Sequence, residues 1–255
     1  MRKIFLFILI GFLISSCSKK VDTALFTPEE YFNYAKSLYD DEDYVDAISE
    51  FQAIMLKYPG SAVNDDAQFY LGMSYYNEEQ YILAAYEFSK LIREIPGSPF
   101  VSEAQFMLAD SYYQLSPDYR LDQAYTEKAI KEFQAYIDFF PTSPKVKEAE
   151  TKIDELHEKL AHKEFSIAEL YVKMDYYYAA IEYYTEVIDK YYDTEYAPQA
   201  LVGRMKTYLR LRDLENAKKD IRTFLNRYPD RKEELKEVKD LMKKKFPKED
   251  FNENY

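Results

Sequence analysis

Residues 47–61 read AISEFQAIMLKYPGS, and the phrase returns as AAYEFSKLIREIPGS at 84–98 and AIKEFQAYIDFFPTS at 129–143. Each copy holds Ala, an aromatic residue four places on, and Pro eight places after that: Ala47–Phe51–Pro59, Ala84–Phe88–Pro96 and Ala129–Phe133–Pro141. Two looser copies follow, Ala180–Tyr184–Tyr192 and Ala217–Ile221–Pro229. The five alanines are 37, 45, 51 and 37 residues apart. A period in this range marks helical hairpins that cannot bury their apolar faces alone and do so by stacking. Such solenoids offer an extended surface to other chains and seldom carry catalytic chemistry.

Working outward, each Pro ends one helix, and Ser or Thr near it opens the next. Thr27-Pro28-Glu29-Glu30 carries an N-cap, a Pro at the first helical position and a Glu at the third. Ser98-Pro99 and Ser143-Pro144 repeat the N-cap-plus-Pro signal. The punctuation predicts helix pairs at 28–40 and 44–57, 62–77 and 80–94, 99–114 and 123–139, 144–173 and 176–191, and 195–211 and 214–228. A last helix at 231–245 is apolar on one side only, as expected of a cap. Small residues recur where helices must approach: Ala35, Gly72, Ala109 and Ala168 in the first (A) helix of a pair, with Leu38, Tyr75, Tyr112 and Tyr171 three residues later. This pattern resembles the tetratricopeptide consensus. The expected fold is all-α, a right-handed helical-hairpin solenoid of five tetratricopeptide-like repeats plus a C-terminal capping helix.

Two repeats depart from the period. Repeat three carries eight extra residues around Leu115–Leu121, and the A helix of repeat four is fourteen residues longer. Fourteen residues is close to four turns, so the helix lengthens without rotating its packing face. The expectation is either a protruding helix end around 144–158, open to contact, or a stiffer rod.

Composition agrees. Gly is scarce at 5, Trp is absent, and no window alternates as a half-buried strand would. The formal charge of −12, without a basic stripe, argues against a nucleic-acid partner, because phosphate contacts need Lys and Arg. No Gly-rich phosphate loop can be built from the scattered glycines. His157 and His162 are five residues apart on one helix, about 140° of rotation, and read as surface residues rather than a metal pair. No enzyme is expected, and no cofactor apart from covalent lipid.

That lipid is expected at Cys17, the only cysteine. Arg2 and Lys3 precede the apolar run Ile4–Ile14, a secretory-signal pattern too short to span a membrane as an ordinary helix. The run ends Ile14-Ser15-Ser16-Cys17, which resembles the lipobox of bacterial lipoproteins. In that family the signal is cut before the cysteine, which is then acylated. Ser18 in place of Asp points to the outer membrane, and Lys19-Lys20 to its periplasmic leaflet. The chain divides accordingly: signal peptide 1–16, lipidated tether 17–27, repeats one to three at 28–142, repeats four and five with the capping helix at 143–246, and a flexible tail at 247–255.

A candidate peptide groove lies on the A helices, which line the concave face of tetratricopeptide folds. Phe32, Phe69 and Phe106 share one position and Tyr39, Tyr76 and Tyr113 another, seven residues on, each set spaced by 37. Residues seven apart lie on nearly the same side of a helix. The two sets either form an aromatic ladder for an extended guest or pack helix A against its neighbours. Lys36, Asp40, Asn77, Asp110 and Gln114 fall near the same face and would orient a guest.

A lipobox followed at once by such repeats, with YPGS at 58–61 and FPTS at 140–143, resembles the BamD family of outer membrane protein assembly factors. The stretch 115–143 is the closest match, and within it lies the family's insertion before the third B helix, here Asp118, Arg120 and Asp122-Gln123. Repeat four departs at Tyr192, where Pro is usual. The resemblance implies a lipid-anchored periplasmic scaffold that binds a β-barrel insertase (BamA-like), other assembly-complex subunits and unfolded outer-membrane protein segments. It places substrate on the N-terminal repeats and the insertase on the C-terminal ones. The alternative is another periplasmic repeat adaptor, such as a Tol–Pal-associated cell-division coordinator, but those have a soluble signal and an N-terminal coiled coil. A sugar-binding outer-membrane lipoprotein is a third class, whose known members are much longer.

Overall fold

In the computed structural model, residues 22–248 are described. They form helix pairs in chain order: α1 Pro28–Asp40 with α2 Tyr44–Lys57, α3 Asn64–Asn77 with α4 Tyr81–Glu94, α5 Val101–Gln114 with α6 Ala124–Phe139, α7 Val146–Lys173 with α8 Tyr177–Lys190, and α9 Tyr196–Arg210 with α10 Leu214–Arg227. A 3₁₀ turn at Pro229–Leu235 leads into α11, Lys236–Lys245, which lies on α9. Every helix packs on its neighbours in the chain, the nearest-neighbour order of a solenoid. No strand occurs among the described residues.

The repeated small residues are the packing points. Ala35, Ala47, Ala84, Ala109, Ala129, Ala168, Ala180 and Ala217 are fully buried. At Gly72 even a methyl group is too much: a Cβ there would sit 2.7 Å from the ring of buried Phe88. Within each of the first three repeats a polar latch closes helix A on helix B. Tyr31 donates to Glu50 at 2.5 Å, Gln68 donates to Glu87, and Gln105 donates to Glu132 at 3.0 Å. Repeat four has a latch of the same kind, Tyr184 of α8 donating to Glu169 of α7, and repeat five uses a stronger device. Arg204 on α9 holds Asp220 on α10 through two bonds of 2.8 Å and reaches Thr185 on α8 at 2.7 Å.

Turn chemistry recurs as well. Glu42, Glu79, Asp175 and Arg212 take φ values of 58–63° where helix A turns into helix B. Repeat three lacks this residue because its insertion replaces the turn. The predicted capping box at Thr27 is present in both directions. Ser98 and Ser143 do not cap helices: each accepts a backbone N–H two residues on, from Phe100 and Lys145, and the helix begins after that turn.

The long helix α7 does not protrude. Ala149, Ile153 and Leu156 in its first half are buried in the core of repeats one to three, while Ala161 and Ala168 belong to the core of repeats four and five. The extra turns give the third repeat a following A helix and the fourth its own, in one uninterrupted rod. Residues 23–26, expected within the tether, are laid across the end of α2. Lys57 donates to the Thr23 and Ala24 carbonyls at 3.0 Å each, and the Tyr58 hydroxyl donates to the Phe26 carbonyl. Cys17, the expected signal peptide and most of the expected tail lie outside the described residues.

Candidate functional site

The two aromatic sets on the A helices separate cleanly. Phe69 and Phe106 are 6% and 4% exposed and offer no surface to a guest. Phe69 stacks on Phe100 at 4.5 Å, and Phe106 meets Phe133 and Tyr136 edge-on at 5.6 and 5.3 Å. Phe32 is partly buried between Phe51 and Tyr70, 6.0 and 5.9 Å away. The phenylalanines therefore pack helix A, the second of the two expected readings. Phe is costly to leave in water, and these positions face the neighbouring helices.

Tyr39, Tyr76 and Tyr113 stay half-buried, with their rings at the surface of the A-helix row. Tyr39 and Tyr76 lean on the first residue of their own B helix, Tyr44 and Tyr81, at 5.4 and 5.2 Å. Their hydroxyls reach into the next repeat. Asn77 donates to the Tyr39 hydroxyl at 3.2 Å, and Gln114 donates to the Tyr76 hydroxyl at 3.2 Å. Tyr76 in turn donates to Asp110, and Tyr113 donates to Glu155 at 2.5 Å. Lys152 completes the chain, 2.7 Å from Asp110 and 4.2 Å from the Tyr113 ring centroid. The polar companions foreseen at this face thus lace repeat to repeat, and Lys36 bonds to Asp40 beside them.

The Tyr76 and Tyr113 hydroxyls are held as proton donors, while that of Tyr39 accepts. Burial raises the Tyr39 pKa. Burial, followed by the Asp110 carboxylate, raises that of Tyr76 well above the usual tyrosine value. The bond to Glu155, followed by burial, pushes Tyr113 up to about 12. What this face offers a guest is ring edges and carboxylates on a pre-formed backbone, with the Tyr76 and Tyr113 hydroxyls already committed.

A second surface lies on the C-terminal repeats. Leu170, Met174, Tyr176 and Tyr178 are exposed at the α7–α8 turn, around an apolar cleft of about 460 Å³ lined by Tyr171, Tyr176, Tyr177, Tyr178 and Leu211. The Arg210 guanidinium stands 5.8 Å from the Tyr177 ring. Sequence reading passed over this patch. Its signal was the run of three tyrosines at 176–178, since a helix start cannot bury three consecutive side chains in one core. A cleft of about 710 Å³ opens between Tyr192, Arg227 and Tyr228 at the far ends of α8 and α10.

The insertion is tied down. Gln123 donates to the Asp118 and Leu121 carbonyls at 2.9 and 3.0 Å and accepts from Thr126 at 2.7 Å. Lys159 and Lys163 of α7 bond to Ser116 and Leu121. His162, expected at the surface, is partly buried between Tyr119 at 3.7 Å and Tyr196 at 4.8 Å. Burial, then nearby Arg120, lowers its pKa. His157 points to a different ring, Tyr191, at 6.0 Å. Among the described residues no helix is long and apolar enough to cross a membrane.

The family model described as outer membrane lipoprotein (YfiO) matches residues 26–224. Similar curated proteins include the outer membrane protein assembly factor BamD of Rickettsia prowazekii (strain Madrid E), 30% identical over 227 residues that cover 88% of this chain and 90% of that protein. BamD of Pasteurella multocida (strain Pm70) is 27% identical over 229 residues, covering 84% and 88%. Similar solved structures include a thermophilic TPR protein of Thermus thermophilus, at 14% identity, 85% and 99% coverage and a TM-score of 0.37. The TPR2AB domain–pHSP90 complex of yeast Sti1 is another, at 13% identity, 84% and 83% coverage and a TM-score of 0.41. With helix pairs filling the matched span and relatives aligned along nearly their whole length, the chain belongs to the outer membrane lipoprotein family, YfiO.

Proposed function

We propose that this chain is a lipid-anchored periplasmic scaffold of the outer-membrane protein assembly machinery. It receives unfolded outer-membrane protein segments along the Tyr39–Tyr76–Tyr113 row and docks a β-barrel insertase on its C-terminal repeats. Lipid at Cys17 holds it to the outer membrane. The observation that carries this reading is the near full-length match to assembly factors. Two surfaces of different character support the division of labour. The tyrosine row is half-buried, acidic at its edges and suited to a transient extended guest. The α7–α8 patch is apolar and compact, the character of a lasting protein contact.

A mild-detergent pull-down of the full-length protein tests the scaffold reading. Recovery of a large β-barrel protein with periplasmic repeat domains is expected, and loss of it is expected on Tyr176→Asp with Tyr178→Asp. Recovery of peptidoglycan-linked or Tol–Pal proteins without that barrel overturns the reading. Binding of unfolded β-barrel segments tests the row. The Tyr39→Ala, Tyr76→Ala, Tyr113→Ala variant should lose about tenfold in affinity, roughly 1.4 kcal/mol, and unchanged affinity rejects the row as the guest site.

A further inference from the structure

Where the described chain begins, it is fastened to one corner of repeat one. Lys57 and Tyr58 at the end of α2 hold the carbonyls of Thr23, Ala24 and Phe26. The Phe26 ring is wedged 6.1 Å from both Tyr31 and Tyr34. Two leucines project from this fastened corner with no described residue covering them, Leu25 at 92% exposure and Leu56 at 86%. An isolated exposed leucine is ordinary on a soluble surface. Leu25 lies within the fastened segment itself and Leu56 immediately precedes the Lys57 that fastens it, at the point where the described chain begins.

The reach of that exit is short. Cys17 lies five residue steps before Asp22, at most about 18 Å at full extension. We propose that the lipid surface itself covers Leu25 and Leu56, making this corner of repeat one a second foothold beside the lipid. The inference rests on lipidation at Cys17. With the lipid in the bilayer, the leash cannot carry the corner beyond the headgroup region by more than its own length. Lys19 and Lys20 lie within the leash, where ammonium groups meet lipid phosphates. A lone acyl attachment would let the repeats swivel freely. Two apolar side chains on rigid backbone fix which end of the helices faces the membrane, and paired weak signals are how peripheral proteins hold a defined pose. The A-to-B turns, with Glu42 and Glu79, then point into the periplasm.

The test uses the full-length protein in vesicles of phosphatidylethanolamine and phosphatidylglycerol. Intact mass first establishes whether Cys17 carries lipid. With its sulfur occupied, Ala62→Cys supplies one free thiol in the exposed connection from α2 to α3, at the same end of the helices as Lys57, and Glu79→Cys supplies one at the opposite turn. Each is labelled with a fluorophore and exposed to lipid-borne quenchers. The Ala62→Cys label should be quenched several-fold more than the Glu79→Cys label, and Leu25→Ser with Leu56→Ser should remove at least half of the difference. Equal quenching at both sites, or quenching that ignores the leucine changes, overturns the foothold while leaving the lipid intact. A mass without lipid overturns the anchoring itself, and the foothold with it.

Discussion

Replacing Tyr76 by Phe separates what the tyrosine row does for the fold from what it does for a guest. The hydroxyl donates to Asp110 and accepts from Gln114, while the ring keeps its place against Tyr81. Asp110 is 6% exposed, so its carboxylate cannot turn to water when the donor is lost. A hydrogen bond to a charged group contributes about 1.5–3 kcal/mol. Lys152 still pairs with Asp110 at 2.7 Å and limits the damage, so a loss of about 2 kcal/mol is expected. For a chain of this size that lowers the Tm by about 4–8 °C. Binding of an unfolded β-barrel segment should be unchanged within about twofold, because the ring edge is retained. Circular dichroism melting and fluorescence anisotropy on the same preparation give both numbers. An unchanged Tm with a tenfold loss of affinity would refute the reasoning, since the hydroxyl would then serve the guest and not the neighbouring repeat.

Tyr113 predicts a pH dependence. Its pKa is raised from 10 to about 12 in the fold, so the unfolded chain releases this proton first. The associated stability is complete below pH 10 and drains away as pH climbs through 12, and Tyr113→Phe should flatten the loss in alkaline melts. Asp220→Ala leaves Arg204 buried without its carboxylate, and a loss of about 3–5 kcal/mol is expected in urea unfolding, with Arg204→Met/Asp220→Leu recovering much of it. Gly72→Ala gains about 1 kcal/mol of helix propensity and loses about 1–3 by crowding Phe88, for a net destabilisation that Phe88→Leu should partly relieve.

Much of the architecture was written in short-range signals. The Pro stops and the alanine spacing located every helix pair to within about two residues, because those residues act through the backbone and need no knowledge of the neighbours. Ser98 and Ser143 misled for the same reason: a hydroxyl that can cap a helix can equally close the turn before it. What depended on the stack was harder to read. Phe69 and Tyr76 share one helix face, yet one ring is core and the other half-buried, because Phe88 and the Phe100 of the following repeat enclose Phe69. The first half of α7 looked free because the sequence holds no further hairpin to cover the third repeat. Its buried Ile153 and Leu156 show that the helix serves as that cover itself. The tyrosine patch at 176–178 was visible as composition but not as a surface, since exposure belongs to the assembled repeats.

The single rod α7 has a consequence for how the protein comes apart. In an array of separate hairpins, each interface can open alone and the ends fray independently. Here 28 residues of continuous helix, about 42 Å, are shared between the two cores. Neither core can melt without stripping apolar cover from a helix that the other also needs. The five repeats are thereby joined into one cooperative unit, and strain from a load on the N-terminal repeats is passed along the rod to the C-terminal ones instead of being dissipated at a hinge.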